Sequence, residues 1–339
     1  MTTLTNRFRS VFACMAITLT IAGTAPADAQ TSPPTPPESP RPPRPPRSSS
    51  RWFRWDGGSG TGVAKIDTLV PFSGNGSVEL GLISGSIKVS AWNRGQVRVV
   101  ASAIGNASLD FDATGSHVDL GVRMGMKHNR SEDGTATYDV TVPAGARVTL
   151  SAISGSITVA GVRGGIDANS VSGSVDVRDA AANVAIESVS GNVTASGVAG
   201  DVKAETVSGR LEVANVSGTV SAGDVSGSID LSNLRGTRVR ANSVSGDVIF
   251  AGALNPAGRY GFETHSGRTV LNLQSGASAA ITVNTYSGSV ANDYPGAVRR
   301  PENDADDERT IYRYTIGRGD ARVSIDTFSG RVQISQGNH

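Results

Sequence analysis

The sequence predicts an all-β fold, a single parallel β-solenoid (β-helix-like) with about 18–21 residues per coil, irregular N-terminal coils and a C-terminal cap. Three observations lead to this prediction. The chain of 339 residues holds 41 glycines and only 5% aromatic residues, and no long stretch follows the helical period. A Ser-Gly pair returns about every twenty residues, and apolar residues keep fixed distances from it. A period of this length is typical of solenoids, in which each repeat forms one coil and buries its apolar face against its neighbours.

Residues 1–29 have the pattern of a signal peptide. Two arginines precede an apolar stretch that is short for a membrane span, and the segment Ala27–Ala29 supplies a small-x-small cleavage site before Gln30. Cys14, the only cysteine, lies inside this segment. We therefore expect an exported protein, periplasmic or at the cell surface or extracellular, with no disulfide and no transmembrane segment after cleavage. An uncleaved membrane anchor is the alternative.

Residues 30–55 are expected to form a disordered linker rich in proline and arginine. Proline lacks an amide donor and fixes φ, so this segment cannot pack as a helix or sheet and stays extended. Five arginines against one glutamate give the linker a charge of +4, whereas residues 56–339 carry about −4. We expect Arg41, Arg44 and Arg47 to attach the protein to an anionic envelope surface; a solvated spacer is the alternative.

Residues 56–339 are expected to form the solenoid domain. The part at 62–147 is less regular, because its strand-like runs from residue 91 onward lack the Ser-Gly marker; we interpret them as wider coils or as hairpins that cap the start. Regular Ser-Gly repeats follow at 148–292, then a polar loop at 295–310 and a C-terminal coil at 311–335. Aromatic residues near the end indicate a plugged cap; they are Tyr260, Phe262, Tyr286 and Phe328.

The glycines of the Ser-Gly pairs mark the structural repeat, and they are Gly85, Gly155, Gly173, Gly191, Gly209, Gly227, Gly246, Gly267, Gly288 and Gly330. Their spacing is 18 or 19 residues from Gly155 to Gly246, and 21 residues from there to Gly288. The residues seven and five positions before each glycine are apolar, as are those two positions after it apart from Thr269. Alternation by two on either side predicts strands that turn one face inward.

The tripeptide Val-Ser-Gly is interpreted as one bend per coil. The alternation predicts that its valine fills the core, that its serine faces outward and that its glycine points inward, where a side chain would collide with the bending chain. Small polar pairs four and three residues before the glycine are expected to hydrogen-bond the backbone of a corner. Successive coils would stack at about 4.8 Å, with like residues in ladders. A calcium-binding nonapeptide roll is excluded, because its Gly-Gly-x-Gly-x-Asp turn does not recur.

The sequence contains no group of residues with catalytic spacing. The four histidines lack metal-ligand spacing, the repeated serines have no neighbouring histidine to act as a base, and neither a nucleophile elbow nor a phosphate-binding glycine loop occurs. We therefore expect a protein that is not an enzyme and that has no cofactor and no nucleic-acid partner. No catalytic residue is assigned.

Acidic residues give two weaker signals. A cluster in the polar loop offers oxygen ligands of the kind that Ca²⁺ takes, but its spacing is irregular, so a solvated loop is favoured over a metal site. The weak metal candidates are Glu302, Asp304, Asp306, Asp307 and Glu308. The second signal is a row of carboxylates at the corner, which consists of Glu187, Glu205, Glu263 and Asp326. Stacked coils would place like charges next to each other, which is tolerable only if the carboxylates are exposed or bridged by a cation. The Arg-Gly-Asp match at 318–320 is attributed to chance.

At these columns the chain resembles a bacterial family of exported proteins of unknown function, the putative adhesins with β-strand repeats. The matching stretches are GSIKVSAWN early in the domain, YDVTVPAGARVTLSAISGSITV in the middle, the SVSGDV-type coils, and GDARVSIDTFSGRVQI at the end, covering about residues 62–335. The resemblance implies a location at the surface or envelope and a binding role. It supplies no catalytic motif.

Three classes of function stay open. The first is an exported, non-enzymatic envelope or surface protein, an adhesin or binding module that presents a rigid solenoid surface to a glycan, a cell wall or a protein. The second is a structural or scaffolding protein of the envelope that assembles through its coils. The third is a β-helix polysaccharide lyase or hydrolase. Such enzymes cluster carboxylates and basic residues on one face, whereas most outward positions here are Ser, Thr, Asn and Gly.

Overall fold

Twenty-six β-strands and no helix make up this computed structural model, which describes residues 53–56, 63–105, 107–124, 134–302 and 310–337. These residues belong to one compact unit, 52–339. The all-β prediction is confirmed. Within the described ranges, no helix is long and apolar enough to cross a membrane.

The strands form two sheets that are joined by two long strands, each of which runs through both sheets; these are β3 (Ser77–Trp92) and β8 (Arg147–Ala160). The other strands of the first sheet are β1 (Phe53–Asp56), β5 (Ala107–Ala113), β6 (His117–Met124), β9 (Ile166–Ser172), β11 (Val184–Ser190), β13 (Val202–Ser208), β15 (Val220–Asp224), β17 (Arg238–Ser243), β19 (Arg259–Thr264), β21 (Ala279–Thr285), β23 (Val298–Glu302), β24 (Thr310–Ile316) and β25 (Ala321–Thr327). The other strands of the second sheet are β2 (Ala64–Pro71), β4 (Gln96–Ile104), β7 (Thr135–Pro143), β10 (Val175–Arg178), β12 (Val193–Ser196), β14 (Arg210–Ala214), β16 (Ser228–Ser232), β18 (Asp247–Gly252), β20 (Arg268–Leu273), β22 (Ser289–Asn292) and β26 (Arg331–Gln336).

From β8 onward the coils are parallel and in register. The odd-numbered strands from β9 to β19 pair in succession in the first sheet, and the even-numbered strands from β10 to β20 do so in the second. The two inward faces pack against each other, since the ring of Phe250 in β18 lies 5.5 Å from that of Tyr260 and 5.9 Å from that of Phe262 in β19. The predicted parallel β-solenoid is confirmed, and its core lies between the two sheets.

The Ser-Gly corner connects the first sheet to the second and brings successive coils very close together. A Cβ atom added to Gly173 would lie 2.1 Å from the carbonyl oxygen of Gly155, and one added to Gly191 would lie 2.1 Å from that of Gly173. The backbone of the preceding coil takes the space that a side chain would need, so the glycine faces that coil and not the core, toward which it was expected to point. Glycine is required because every other residue would place an atom inside that carbonyl group.

The serine and the valine of the tripeptide have different roles from those of ordinary strand residues. The serine faces outward as expected, and its hydroxyl donates a hydrogen bond to a carbonyl of the preceding coil, from Ser190 Oγ to Val171 at 3.3 Å and from Ser226 Oγ to Val207 at 3.3 Å. The prediction that the valine fills the core is wrong. Val171 and Val207 are only half-buried, because the inward alternation of the first strand continues to the residue three positions before the glycine, so the phase changes later than the sequence suggested.

The second corner, which the sequence analysis did not predict, follows the strand of the second sheet. The residue six positions after the Ser-Gly glycine has a left-handed φ, between 52° and 75° in five successive coils; these residues are Gly161, Asp179, Gly197, Asn215 and Asn233. Glycine, asparagine and aspartate are the residues that tolerate this conformation. The next residue is apolar and buried in each of these coils, and it closes this edge of the core; these residues are Val162, Ala180, Val198, Val216 and Leu234.

A ladder of small polar side chains is buried behind the Ser-Gly corner, three residues before each glycine from Gly173 onward. Its members, in spatial order, are Ser170, Ser188, Thr206, Asp224, Ser243, Thr264, Thr327 and Thr285. In the later coils the side chain accepts a hydrogen bond from the glycine amide, over 2.8 Å from Gly246 N to Ser243 Oγ and over 2.9 Å from Gly288 N to Thr285 Oγ1. These bonds hold the turning backbone, as small polar side chains do at turns.

Asp224 introduces a carboxyl group into this ladder. The residue is 6% exposed; its Oδ2 accepts a hydrogen bond from the Gly227 amide, and its Oδ1 has no hydrogen-bond partner among the described residues. Its register neighbours, Thr206 and Ser243, are uncharged. Burial raises the pKa of Asp224, and the hydrogen bonds from the amides at 225–227 only partly oppose this.

Antiparallel strands cover the start of the solenoid, in agreement with the irregular N-terminal coils that were predicted. β6 and β7 pair in parallel with β3 and extend the first and the second sheet by one strand each. Beyond them β5 and β4 run antiparallel, followed by β1 and β2 at the edges. Residues 53–55, the last three of the predicted linker, lie in β1.

The coils at the other end do not follow chain order. β25 pairs with both β19 and β21, and β26 pairs with both β20 and β22, so the coil of β25 and β26 is inserted between two coils that precede it in the chain. The glycines stack accordingly. A Cβ atom on Gly330 would lie 2.4 Å from the carbonyl oxygen of Gly267, and one on Gly288 would lie 2.2 Å from that of Gly330. Chain order alone would have placed Gly288 next to Gly267.

Beyond β21 the first sheet continues with two antiparallel strands, β24 and then β23. The structure thus differs from the polar loop expected at 295–310 and from the coil expected at 311–335. Residues 298–302 form β23, residues 310–316 form β24, and the coil begins only at Ala321. The edge strand β23 contains Pro301, which lacks an amide donor, so this edge is poorly suited to accept a further strand.

Replacing Gly191 by alanine should lower the free energy of unfolding by about 3 kcal/mol, the upper end of the range for overpacked sites, because the new methyl group would displace a backbone carbonyl of the neighbouring coil. Chemical denaturation followed by circular dichroism measures the change. The matched control is Ser190→Ala, which removes one exposed hydroxyl and should cost about 1 kcal/mol or less. Equal stability of the two variants would contradict the close approach of the coils.

Replacing Asp224 by serine should stabilise the protein at neutral pH, because serine can accept the same amide hydrogen bond, as Ser243 does, without placing a charge in the core. The folded state holds the Asp224 proton to a higher pH than the unfolded state, so the free energy of unfolding of the wild type falls as the pH rises from the ordinary aspartate pKa of about 3.9 through the raised value. The gain in the variant should be absent at low pH and reach about 1 kcal/mol at pH 7.

Thermal unfolding between pH 3.5 and pH 8 measures this difference. The control is Asp167→Ser, which removes an exposed carboxyl from the outward face of β9 and should give no gain in stability at pH 7. A stability gap between Asp224→Ser and wild type that is constant over this range would show that the buried carboxyl does not titrate as described.

Candidate binding site

A column of mainly apolar residues lies at the Ser-Gly corner, two positions before each glycine. We call it the corner column; in spatial order it consists of Ile83, Ile153, Val171, Val189, Val207, Val225, Val244, His265, Phe328 and Tyr286. The first five are half-buried, whereas Val225 is 42% exposed and Val244 is 50% exposed. The column is therefore an apolar stripe along the edge of the molecule that becomes more exposed toward one end. Continuous exposed apolar surface is typical of interaction sites.

The exposed end of the corner column is aromatic. The rings of His265 and Phe328 are stacked, with centroids 4.9 Å apart and an interplanar angle of 11°, and the ring of Tyr286 lies 5.0 Å from that of Phe328 at 37°. Phe328 is 47% exposed and Tyr286 is 37% exposed. We call these three residues the aromatic corner.

The aromatic corner exists because of the inserted coil. His265 follows β19, Phe328 follows β25 and Tyr286 follows β21, and β25 lies between the other two strands. The sequence analysis interpreted Tyr286 and Phe328 as part of a plug. That interpretation is wrong for these two residues, which are exposed at the corner, although Tyr260 and Phe262 are buried in the core.

A row of polar side chains runs beside the aromatic corner on the outward face of the first sheet. Asp326 is central to it: its Oδ1 accepts a hydrogen bond of 2.6 Å from Asn284 Nδ2, and its Oδ2 accepts one of 3.1 Å from Ser324 Oγ. Glu263 lies opposite Asp326 on the neighbouring strand. The site thus combines stacked rings with carboxylate and amide groups that are already oriented by hydrogen bonds.

The structure separates the predicted row of carboxylates into two pairs. Glu187 and Glu205 lie opposite each other on β11 and β13, and Lys203 bridges them, with its Nζ 3.8 Å from Glu187 Oε1 and 3.0 Å from Glu205 Oε1. The hydrogen bond to Glu205 raises the pKa of Lys203. Glu263 and Asp326 form the second pair, several coils away. The first pair is therefore bridged and partly neutralised by a cation of the chain itself, in line with the requirement stated for adjacent like charges.

The remaining predicted site residues contribute no built site to the described part of the chain. Glu302 is the last residue of β23; the other weak calcium candidates, Asp304, Asp306, Asp307 and Glu308, lie outside the described residues, as do Arg41, Arg44 and Arg47. No group of three metal-ligating residues occurs within the described ranges. In the Arg-Gly-Asp segment, Arg318 Nη2 lies 3.3 Å from Asp320 Oδ2, so the two charges face each other.

The repeated serines are structural, since their hydroxyls donate to carbonyls of neighbouring coils along the whole corner, from Ser190 to Ser329. The aromatic corner was missed because the valine column had been assigned to the core. A signal was present in the sequence: His265, a polar ring, occupies the position of the valine in one coil, and Tyr286 and Phe328 occupy it in two others.

A family model described as Toastrack DUF4097 matches residues 140–335, more than half of the chain. No curated protein matches this chain. Solved structures similar to this chain include a putative cell adhesion protein from Clostridium sporogenes ATCC 15579, with 11% sequence identity, a TM-score of 0.23 and coverage of 81% of this chain and 100% of that one. They also include a putative adhesin from Bacteroides fragilis NCTC 9343, with 12% identity, a TM-score of 0.33 and coverage of 81% and 98%.

Proposed function

The chain belongs to the Toastrack DUF4097 family, and on the geometry of its corner column we propose that it is an exported binding module of the cell envelope or cell surface that acts without catalysis. Its ligand is held non-covalently at the aromatic corner. The solenoid serves as a rigid frame, because each coil is fixed by backbone ladders on both sheets and by the serine hydrogen bonds at the corner.

The observation that carries this proposal is the stack of His265, Phe328 and Tyr286. Large rings contribute most to stability when they are buried, yet here three successive coils replace a small aliphatic residue with a ring that is exposed. An exposed stack of this kind adds little to the core and offers a flat apolar surface. Aromatic residues are enriched at the centres of binding interfaces for this reason.

The surroundings of the stack favour a sugar ligand. The C–H groups on one face of a pyranose ring pack flat on an aromatic ring, while its hydroxyls need donors and acceptors at the side. Asp326, Asn284 and Glu263 provide these groups one step along the same strands. A glycan of the envelope or of a neighbouring surface is therefore the ligand class that we assign to the aromatic corner.

The basic linker completes the proposed function. Its charge of +4 precedes a domain of about −4, and exposed arginines bind phosphates and anionic sugars through long-range attraction. In this proposal Arg41, Arg44 and Arg47 hold the module at an anionic envelope surface, and the solenoid presents its aromatic corner from there.

Replacing His265 and Phe328 by valine should abolish glycan binding without harming the fold, because valine is the residue that earlier coils carry at this position. Binding of the purified protein to an array of glycans and cell-wall polymers measures the effect. For each ligand that the wild type retains, we expect the double variant to lose at least about 2 kcal/mol of binding free energy, the size of a hot-spot contribution.

The matched control is Val225→Ala, which alters the same column away from the rings and should leave glycan binding as in wild type. Thermal unfolding of all three proteins checks the fold. Failure of the wild type to bind any glycan or polymer, or retention of binding by the double variant, would exclude the aromatic corner as the site.

Replacing Arg41, Arg44 and Arg47 by serine should reduce association with isolated envelopes, because exposed charge pairs depend on the number of cations and are screened by salt. The wild type should dissociate as the ionic strength rises, whereas the variant should be weakly bound at all salt concentrations. Co-sedimentation with envelope fragments measures both. If the variant sediments as well as wild type at low and at high salt, the linker is only a spacer.

A further inference from the structure

Three arginines form a column on the outward face of the first sheet, at the end of the strands that lies away from the aromatic corner. Arg238 and Arg259 are the first residues of β17 and β19, and Arg322 is the second residue of β25; the three are direct register partners. All three are exposed, and so is Arg240, two residues further along β17. Neighbouring strands lie about 4.8 Å apart, so the column presents a positive charge at each step along the solenoid axis. We call these four residues the arginine column.

The arginine column differs from the paired arginines on the second sheet. Arg178, Arg210 and Arg268 each form an ion pair, at 2.6 Å with Asp176, 2.9 Å with Asp230 and 3.0 Å with Asp247 respectively. None of the four residues of the column forms an ion pair with any described residue. Like charges opposite each other on adjacent strands are destabilising. Repulsion between the arginines of the column therefore lowers the stability of the fold.

We propose that the arginine column is a binding site for a linear acidic polysaccharide that lies along the solenoid axis and crosses the strands. Each guanidinium group holds one carboxylate of the polymer through paired N–H···O hydrogen bonds, for which the planar arginine side chain is suited. The regular spacing of the arginines is matched by a polymer that carries its carboxylates at regular intervals. This site is distinct from the aromatic corner, which lies six residues further along the same strands.

The surface around the column favours a polysaccharide over a nucleic acid. Beside Arg259 and Arg322, the next outward positions are Gly261 and Ser324, and a Cβ atom on Gly261 would meet open space. Single-stranded nucleic acids are usually held by aromatic rings on which the bases stack next to the basic groove. The aromatic residues of these strands, Tyr260 and Phe262, point into the core instead. The floor is small and polar, which suits a chain of hydroxylated sugar rings.

The test uses the full exported chain with Arg41, Arg44 and Arg47 replaced by serine, so that the linker does not contribute to polyanion binding. In this background, Arg238→Ser, Arg259→Ser and Arg322→Ser are combined, and binding of polygalacturonate is measured by calorimetry at about 0.15 M salt. We expect the affinity to fall by about tenfold or more and its dependence on salt to become shallower, as when phosphate contacts are removed from a nucleic-acid-binding protein.

The matched control combines Arg178→Ser, Arg210→Ser and Arg268→Ser, which changes the net charge by the same amount on the second sheet and should alter the affinity by less than about twofold, since distant exposed charges are screened. An equal loss in the control, or no binding of polygalacturonate by the background protein, would overturn the proposal. So would tighter binding of inorganic polyphosphate or of a single-stranded thymidine oligonucleotide.

The thermal midpoint of the column variant should equal or exceed that of its background, because repulsion between the arginines is relieved. A lower midpoint would show that the arginines stabilise the fold. The rings of the aromatic corner are intact in every variant. A negative result with polygalacturonate therefore excludes the arginine column as a site without bearing on glycan binding at the aromatic corner.

Discussion

The constraint on which the rest of the structure depends is the contact between backbones at the Ser-Gly corner. Each coil can stack on the preceding one only if the chain turns with its glycine directly against a carbonyl group, as Gly191 does against Gly173. That contact fixes the register of both sheets at once, because the strand before the corner belongs to the first sheet and the strand after it belongs to the second. The serine hydroxyl adds a hydrogen bond between coils at the same place. The ladders of like residues, including the arginine column and the aromatic corner, follow from this register.

The same constraint explains why a buried carboxyl is tolerated. The position three residues before the glycine faces the turning backbone, so a side chain there can accept the glycine amide whether it is serine, threonine or aspartate. Asp224 satisfies this local requirement and leaves its second oxygen without a described partner. The corner therefore selects for an acceptor atom, and it does not discriminate strongly against charge.

The sequence predicts the columns of the solenoid well, because alternation by two reports which side of a strand is buried and the period reports the coil. It is less informative where the chain bends. At the Ser-Gly corner the alternation shifts by one residue, so Val225 and Val244 appear to belong to the core although they lie outside. The second corner could have been predicted from Gly161, Asp179 and their equivalents, whose residue types tolerate a left-handed φ. The order of the last coils could not, since β21 and β25 carry the same apolar columns and either one fits against β19. The aromatic corner depends on that order, and so only its individual residues were visible in the sequence.

The inserted coil has a consequence for the biogenesis of the molecule. Strands up to β20 can be added one coil at a time as the chain emerges, each using the previous coil as a template. β21 and β22 are synthesised next, but the surface on which they finally rest is formed by β25 and β26, which appear later. Assembly of this end therefore cannot proceed in the direction of synthesis. β21 and β22 can therefore pair in their final positions only after β25 and β26 have been synthesised, and any earlier pairing of these two strands must be broken first.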